Sequence, residues 1–184
     1  MRRDLSRLSS EVFDLLVIGG GVTGACVARD ASLRGLKVAL IEKNDFAHAT
    51  SAHNSKLIHG GLRYLRNFEL GLVRESLRER RIWQRTAPHL VRPLPFLIPL
   101  YDAGFKARAT LAAGLTLYDL LSFDRGWLDD PDQRLPGHSF LNKTDAVARE
   151  PSLAGPGFEG SFLYYDAQMY SPERLALECI IDAA

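Results

Sequence analysis

Six residues, Gly19-Gly20-Gly21-Val22-Thr23-Gly24, constrain the fold of this chain more than any other segment. They follow Phe13–Ile18, where the continuous apolar run Leu15-Leu16-Val17-Ile18 predicts a strand buried on both faces. They open Val22–Leu33, whose alanine content and spacing predict a helix ended by Gly35. Val38–Ile41 reads as a second buried strand and stops at Glu42. Strand, helix and strand over residues 13–42 make a right-handed βαβ crossover with parallel strands.

The glycines satisfy G-x-G-x-x-G, and each has a task. Gly19 permits the tight exit from the strand, Gly21 lets a pyrophosphate approach the backbone, and Gly24 lets helix and strand pack closely. The free N–H groups at the helix N-terminus, with the helix dipole, favour an anion. Alone the pattern is weak, because glycine triplets also occur in plain turns. Glu42 strengthens it, 18 residues past Gly24 at the end of the next strand. A carboxylate there accepts both ribose hydroxyls of an adenosine and repels a 2′-phosphate, which disfavours NADP. FAD and NAD both remain open on this evidence.

Beyond this unit, Phe46–Gly61 is rich in Ser, Thr, His, Asn and Gly and reads as an ordered loop. Phe68–Arg85 is a charged helix with Leu70, Val73 and Leu77 on one face. Pro93–Pro99 holds three prolines in seven residues and must be extended. Lys106–Leu121 is an amphipathic helix, and the chain to about Gly160 is turn-rich, with at most a short helix near Thr144–Arg149. Gly160–Met169 is strand-like. Ser171-Pro172-Glu173 opens a last helix with a Ser cap, a proline at the first helical position and an acid in the first turn.

A chain of 184 residues, 46% apolar and 24% charged, is of the soluble globular class and can bury a core. Its net charge of +1 gives no general attraction to nucleic acid. Met1-Arg2-Arg3 raises a twin-arginine export signal, but the next apolar run contains Asp14 and runs straight into the glycines, so export is rejected. No stretch reaches the roughly 18 apolar residues of a membrane span. Cys26 and Cys179 are far apart in sequence and read as reduced thiols in a cytosolic setting. No metal site is expected.

The segment Thr50-Ser51-Ala52-His53-Asn54-Ser55-Lys56-Leu57-Ile58-His59-Gly60-Gly61-Leu62-Arg63-Tyr64-Leu65 is more specific than any glycine motif. Together with Ile18–Ala25, Ala28, Asp30, Arg34 and Gly35, it closely resembles the FAD-dependent glycerol-3-phosphate dehydrogenases. The likeness continues through Pro93–Tyr101 and Tyr165-Asp166, and so covers essentially the whole chain. It implies an α/β fold, a Rossmann-like FAD-binding domain present as the N-terminal part of a two-domain flavoprotein. Within it, 46–65 is the flavin and substrate loop and 93–170 a partial substrate-side region.

The resemblance also implies chemistry. Hydride leaves C2 of sn-glycerol 3-phosphate for flavin N5, dihydroxyacetone phosphate is released, and electrons pass to a membrane quinone or, in oxidase relatives, to oxygen. The implied cofactor-binding residues are Gly19, Gly20, Gly21, Thr23, Gly24, Glu42, Lys43, Thr50, Ser51, Ser55, Lys56, Leu57, Gly60 and Gly61. Arg63 and Tyr64 match substrate-facing positions, and a guanidinium can bind a phosphate by two parallel hydrogen bonds. The alternative for Arg63 is a solvated surface arginine.

His59 is the one local side chain whose ordinary pKa suits proton transfer, and so is the candidate catalytic residue. The alternative is a histidine hydrogen-bonded in the loop to support Gly60-Gly61. His53 lies at about the distance past the ribose-binding acid at which some amine-oxidising flavoproteins attach FAD covalently, although the residues around it follow the glycerol-phosphate pattern. Cys26 departs from the family, which usually has Gly there, and is expected to face the packing beneath its helix.

Arg74, Arg78, Arg80, Arg81 and Arg85 on one helix, with Lys106 and Arg108 on the next, suggest peripheral attachment to the cytoplasmic face of the inner membrane. The alternative is a solvated helix face and a core-facing helix. Members of the family are longer, and their later portion supplies the substrate cap, further phosphate-binding residues and a second flavin-binding segment. The expectation is therefore an N-terminal part that does not turn over alone. A relative oxidising an amine or amino acid, and a non-catalytic flavin-binding module, are the other readings. The sequence sets no oligomeric state.

Overall fold

The computed structural model describes residues 4–184, so Met1-Arg2-Arg3, on which the export question turned, lie outside the described residues. Two units emerge, one formed by the chain up to Lys56 together with Met169–Ala184, the other by Leu57–Gln168.

The first unit opens with a short helix, α1 (Leu5–Ser10), for which the sequence carried no expectation. Asp4 caps it, its carboxylate accepting from the Ser6 and Arg7 N–H groups. Then come β1 (Leu15–Ile18), α2 (Val22–Leu33) and β2 (Val38–Ile41). The strands are parallel, with Leu15 opposite Val38 and Ile18 opposite Ile41. Gly35, at φ +81°, lies just past the end of α2 and its N–H donates to the Ser32 carbonyl, the left-handed stop that glycine makes without a Cβ penalty.

Burial of β1 on both faces is not what the structure shows. Val17 is buried beside Gly24 of α2, but Leu16 and Ile18 are 53% and 79% exposed. Side chains alternate along a strand, and no described element covers the second face. An apolar run reports what a strand can bury, not that a layer is supplied.

In the second unit β6 (Phe158–Met169) lies between β3 (Leu57–Ile58) and β4 (Val91–Tyr101), and β5 (Ser139–Asn142) also pairs with it. Both β3 and β5 are antiparallel to β6, with Leu57 opposite Gln168 and Ser139 opposite Leu163. Pro93, Pro95 and Pro99 share one parity, so their missing N–H groups fall along one edge of β4. That suits a strand at the end of the sheet order. The helices are α3 (Leu70–Thr86), α4 (Gly104–Leu121) and α5 (Lys143–Arg149), the last capped by Asn142.

Val73 and Leu77 of α3 pack on Tyr118 of α4, and Leu115 packs on Leu100 and Phe162 of the sheet. Each such fully buried leucine contributes about 1.5–3 kcal/mol. Leu70, expected on the same face, opens the helix and is 39% exposed. The remaining helix, α6 (Pro172–Ala183), belongs to the first unit and starts with Ser171 Oγ accepting the Arg174 N–H.

Candidate functional site

The glycine turn of the first unit is held by a loop that folds back onto it. The Ala47 N–H donates to the Gly20 carbonyl at 3.0 Å, and the Phe46 ring lies where a Cβ on Gly20 would have to be. Ser51 Oγ accepts the Val22 N–H at 2.9 Å, at the first position of α2. At Gly24 a methyl would overlap the Gly19 carbonyl oxygen, so the close approach of helix and turn requires glycine. The Thr23 and Gly24 N–H groups have no acceptor among the described residues, as expected of a first helical turn. They form a site for an anion's oxygens, with Ser51 Oγ beside them as a further donor.

Glu42 closes this site from the end of β2. Its carboxylate accepts the Asn44 N–H at 2.8 Å and the Gly20 N–H at 2.7 Å. These two backbone donors, the Asn44 one first, hold its pKa below the usual glutamate range, so it is ionised at neutral pH. Lone pairs remain to accept hydroxyl donors, and the charge repels a phosphate in the same place. A twice-charged pyrophosphate on the turn and a ribose diol on the acid fit these residues.

The rest of the 46–56 loop is exposed but locally ordered. Asn54 donates to the carbonyls of Thr50 and Ser51, and its own side-chain oxygen accepts the Lys56 N–H. Lys43, Thr50, Ser55 and Lys56 are exposed. His53 Nδ1 lies 3.0 Å from the Ala49 carbonyl.

In the second unit the chain that runs from Leu57 through Gly60-Gly61 enters a two-turn 3-10 helix over Leu62–Asn67. Its anchor is buried. Asp166 Oδ1 of β6 accepts the Gly60 N–H at 3.1 Å and the Tyr118 hydroxyl at 2.9 Å, and pairs with the Arg80 guanidinium. Arg80 also donates to Ser122 Oγ at 3.0 Å. A side chain at Gly60 would collide with Leu77 and the Tyr118 hydroxyl, so the backbone lies directly on the core. Burial first, and then the Asp166 carboxylate, push the Tyr118 hydroxyl far above the ordinary tyrosine range, which keeps it a donor. The same causes push Tyr164 up to about 12.

Against this frame His59 is exposed and its ring makes no hydrogen bond among the described residues. The alternative in which His59 supports Gly60-Gly61 is thereby corrected: Asp166 does so. Arg63 is exposed with no carboxylate partner among the described residues, whereas Tyr64 is half-buried against the Val73–Leu77–Tyr118 cluster.

The expected basic face of α3 is also corrected. Arg80 is 2% exposed in its pair with Asp166. Arg74 grips Asp124 through two 2.8 Å hydrogen bonds, and Arg81 Nε lies 3.1 Å from the same carboxylate. Three of the five arginines are thus bound to acids within the unit. No described helix is long and apolar enough to cross a membrane.

The sequence model of the family described as FAD dependent oxidoreductase matches residues 14–184. The chain belongs to this family. FAD is the cofactor by which the family is defined, which resolves the choice between FAD and NAD left open by the glycine turn. The resemblance to glycerol-3-phosphate dehydrogenases is likewise borne out. The glycerol-3-phosphate dehydrogenase of Synechocystis is 46% identical over 181 residues, 98% of this chain and 31% of that protein. That of Mycobacterium leprae is 46% identical over 161 residues, 87% of this chain and 26% of that protein. The solved glycerol-3-phosphate dehydrogenase of Bacillus halodurans, complexed with FAD, superposes with a TM-score of 0.65 at 28% identity, covering 97% of this chain and 26% of that one. The chain spans less than a third of the curated relatives' length.

Two features of this family member were missed from sequence. Phe46 and Ala47 hold the glycine turn through contacts that no spacing rule encodes. Arg80 and Gln84 could have been found. They continue the stripe of Val73 and Leu77 at steps of three and four, and a charge on an apolar stripe signals a buried partner.

Proposed function

We propose that this chain supplies the FAD-holding turn and the first substrate-facing residues of an enzyme that oxidises sn-glycerol 3-phosphate to dihydroxyacetone phosphate. The observation that carries this reading is the 46% identity to glycerol-3-phosphate dehydrogenases across 98% of the chain. Gly19, Gly20, Gly21, Thr23 and Gly24 cradle the pyrophosphate, and Glu42 accepts the ribose hydroxyls. Lys43, Thr50, Ser51, Ser55, Lys56, Leu57, Gly60 and Gly61 complete the cofactor contacts. FAD held there would supply the acceptor for the C2 hydride at N5, with a quinone or oxygen as the final acceptor.

Arg63 binds the substrate phosphate through its two-pronged guanidinium, and Tyr64 stands beside it on the 3-10 turn, its ring held by the core. His59 is the candidate for the hydroxyl proton. It is exposed and adjacent to Gly60, whose backbone Asp166 fixes. The enzyme works at the cytoplasmic face of a membrane. Its contact there is the start of α4, where Phe105 is 88% exposed beside Lys106, rather than the acid-bound arginines of α3. Because the chain spans less than a third of its relatives, turnover belongs to the whole protein and not to these 184 residues alone.

Anaerobic addition of sn-glycerol 3-phosphate to the FAD-loaded whole protein should bleach the flavin's visible band, and a soluble quinone should restore it. Arg63→Lys should raise KM by about tenfold or more, the loss of one charge-assisted hydrogen bond. Bleaching by proline or glycine but not by sn-glycerol 3-phosphate would transfer the enzyme to the amine-oxidising class. Bound FAD that no such donor reduces would leave a flavin-binding module.

A further inference from the structure

Helices α2 and α6 meet through small side chains. Ala25, Ala28 and Ala31 are buried on α2, and Leu175, Ala176, Cys179 and Ile180 on α6. Two polar contacts set their register: Arg29 pairs with Asp182, and the Ser32 hydroxyl donates to the Ala183 carbonyl at 3.0 Å. One turn before Arg29 is Cys26, and one turn before Asp182 is Cys179. The two residues meet there, with their thiols hydrogen-bonded to each other and no disulfide between them. Cys179 is 2% exposed, while Cys26 is partly exposed and gives a small reagent access to the pair. A disulfide needs Cα atoms within about 4.4–6.8 Å, and helices packed through alanines bring facing positions into that range.

We propose that Cys26 and Cys179 form a dithiol redox site, which a low-molecular-weight disulfide oxidises to an intramolecular bridge between α2 and α6. The Cys26 thiolate attacks one sulfur of the small disulfide, making a mixed disulfide and expelling one small thiolate. Cys179 then attacks the Cys26 sulfur and expels the second. The pair loses two electrons and two protons; the small disulfide gains the electrons and leaves as two thiols. Cys26 is the entry point because it is the accessible one. The hydrogen bond from its neighbour and then burial hold the Cys179 thiol well above the ordinary range, so Cys179 acts second. The bridge pins α2 within a turn of Val22–Gly24, the end that faces the pyrophosphate.

The test equilibrates the FAD-loaded protein in glutathione buffers of graded ratio, alkylates it, and maps peptides without reduction. One cross-linked species joining the Cys26 and Cys179 peptides is expected, lighter than their sum by two hydrogens. Its fraction should follow the buffer ratio, and the oxidised protein should melt several degrees higher than the reduced one. Cys26→Ser should abolish both changes, while mapping of the unsubstituted protein stands independently of whether a variant folds. The proposal is overturned if both thiols remain alkylatable in oxidised glutathione. It is equally overturned if glutathione stops on Cys26 without transfer, or if only intermolecular bridges form.

Discussion

A methyl group placed on Gly24 has nowhere to go. The Gly19 carbonyl oxygen occupies its position and Val17 Cγ1 stands 3.3 Å away, so either the turn opens or α2 shifts from the strand. Both movements displace the N–H groups proposed to hold the pyrophosphate. Gly24→Ala should therefore weaken FAD binding by about tenfold or more, equivalent to 1.4 kcal/mol, in a flavin-fluorescence titration. Gly71→Ala is the control: its Cβ meets nothing within 4 Å in α3, and helix propensity should make it neutral or stabilising by up to about 1 kcal/mol. Gly24 and Glu42 were legible in the sequence because their tasks depend on spacing along one continuous segment. Ser51 was legible only through family resemblance, since its contact with Val22 crosses 29 residues.

At the scale of elements, α3 is defined by what it buries. Arg80 meets Asp166 across 86 residues, and the pair is completed by Tyr118, Ser122 and the Gly60 N–H. Removing one member leaves the other charge unpaired. Asp166→Ala should cost about 3–5 kcal/mol in urea unfolding, and Arg80→Met in the same background should recover part of it. If Asp166→Ala cost under about 1 kcal/mol, the network would be incidental to the loop. The prolines made β4 legible. They exclude a helix by covalent geometry, a local fact. Strand β5 was not, because four residues with a single paired neighbour, β6, carry too little pattern of their own.

At the scale of the molecule, each unit has its own sheet, β1 with β2 in the first and β3, β4 and β5 with β6 in the second. Leu16 and Ile18, apolar and exposed, lie on a face of β1 that no described element covers. Replacing both with threonine keeps the strand propensity while removing apolar surface. The double variant of this chain should bind less hydrophobic dye and change unfolding free energy by no more than about 0.5 kcal/mol, as expected of surface sites. A loss of several kcal/mol would mean that this face is covered within the chain.

The long strand β6 sets an order of events. It partners β3, β4 and β5, all of which precede it, and α6, which packs on α2, follows it directly. During synthesis α2 and the Gly60 loop are translated early, but α2 lacks its covering helix and Gly60 its Asp166 acceptor until residues 158–184 leave the ribosome. Both units then close almost together. Until that moment the nascent chain carries unpaired strand edges and an uncovered α2, the state in which a chaperone has most to bind.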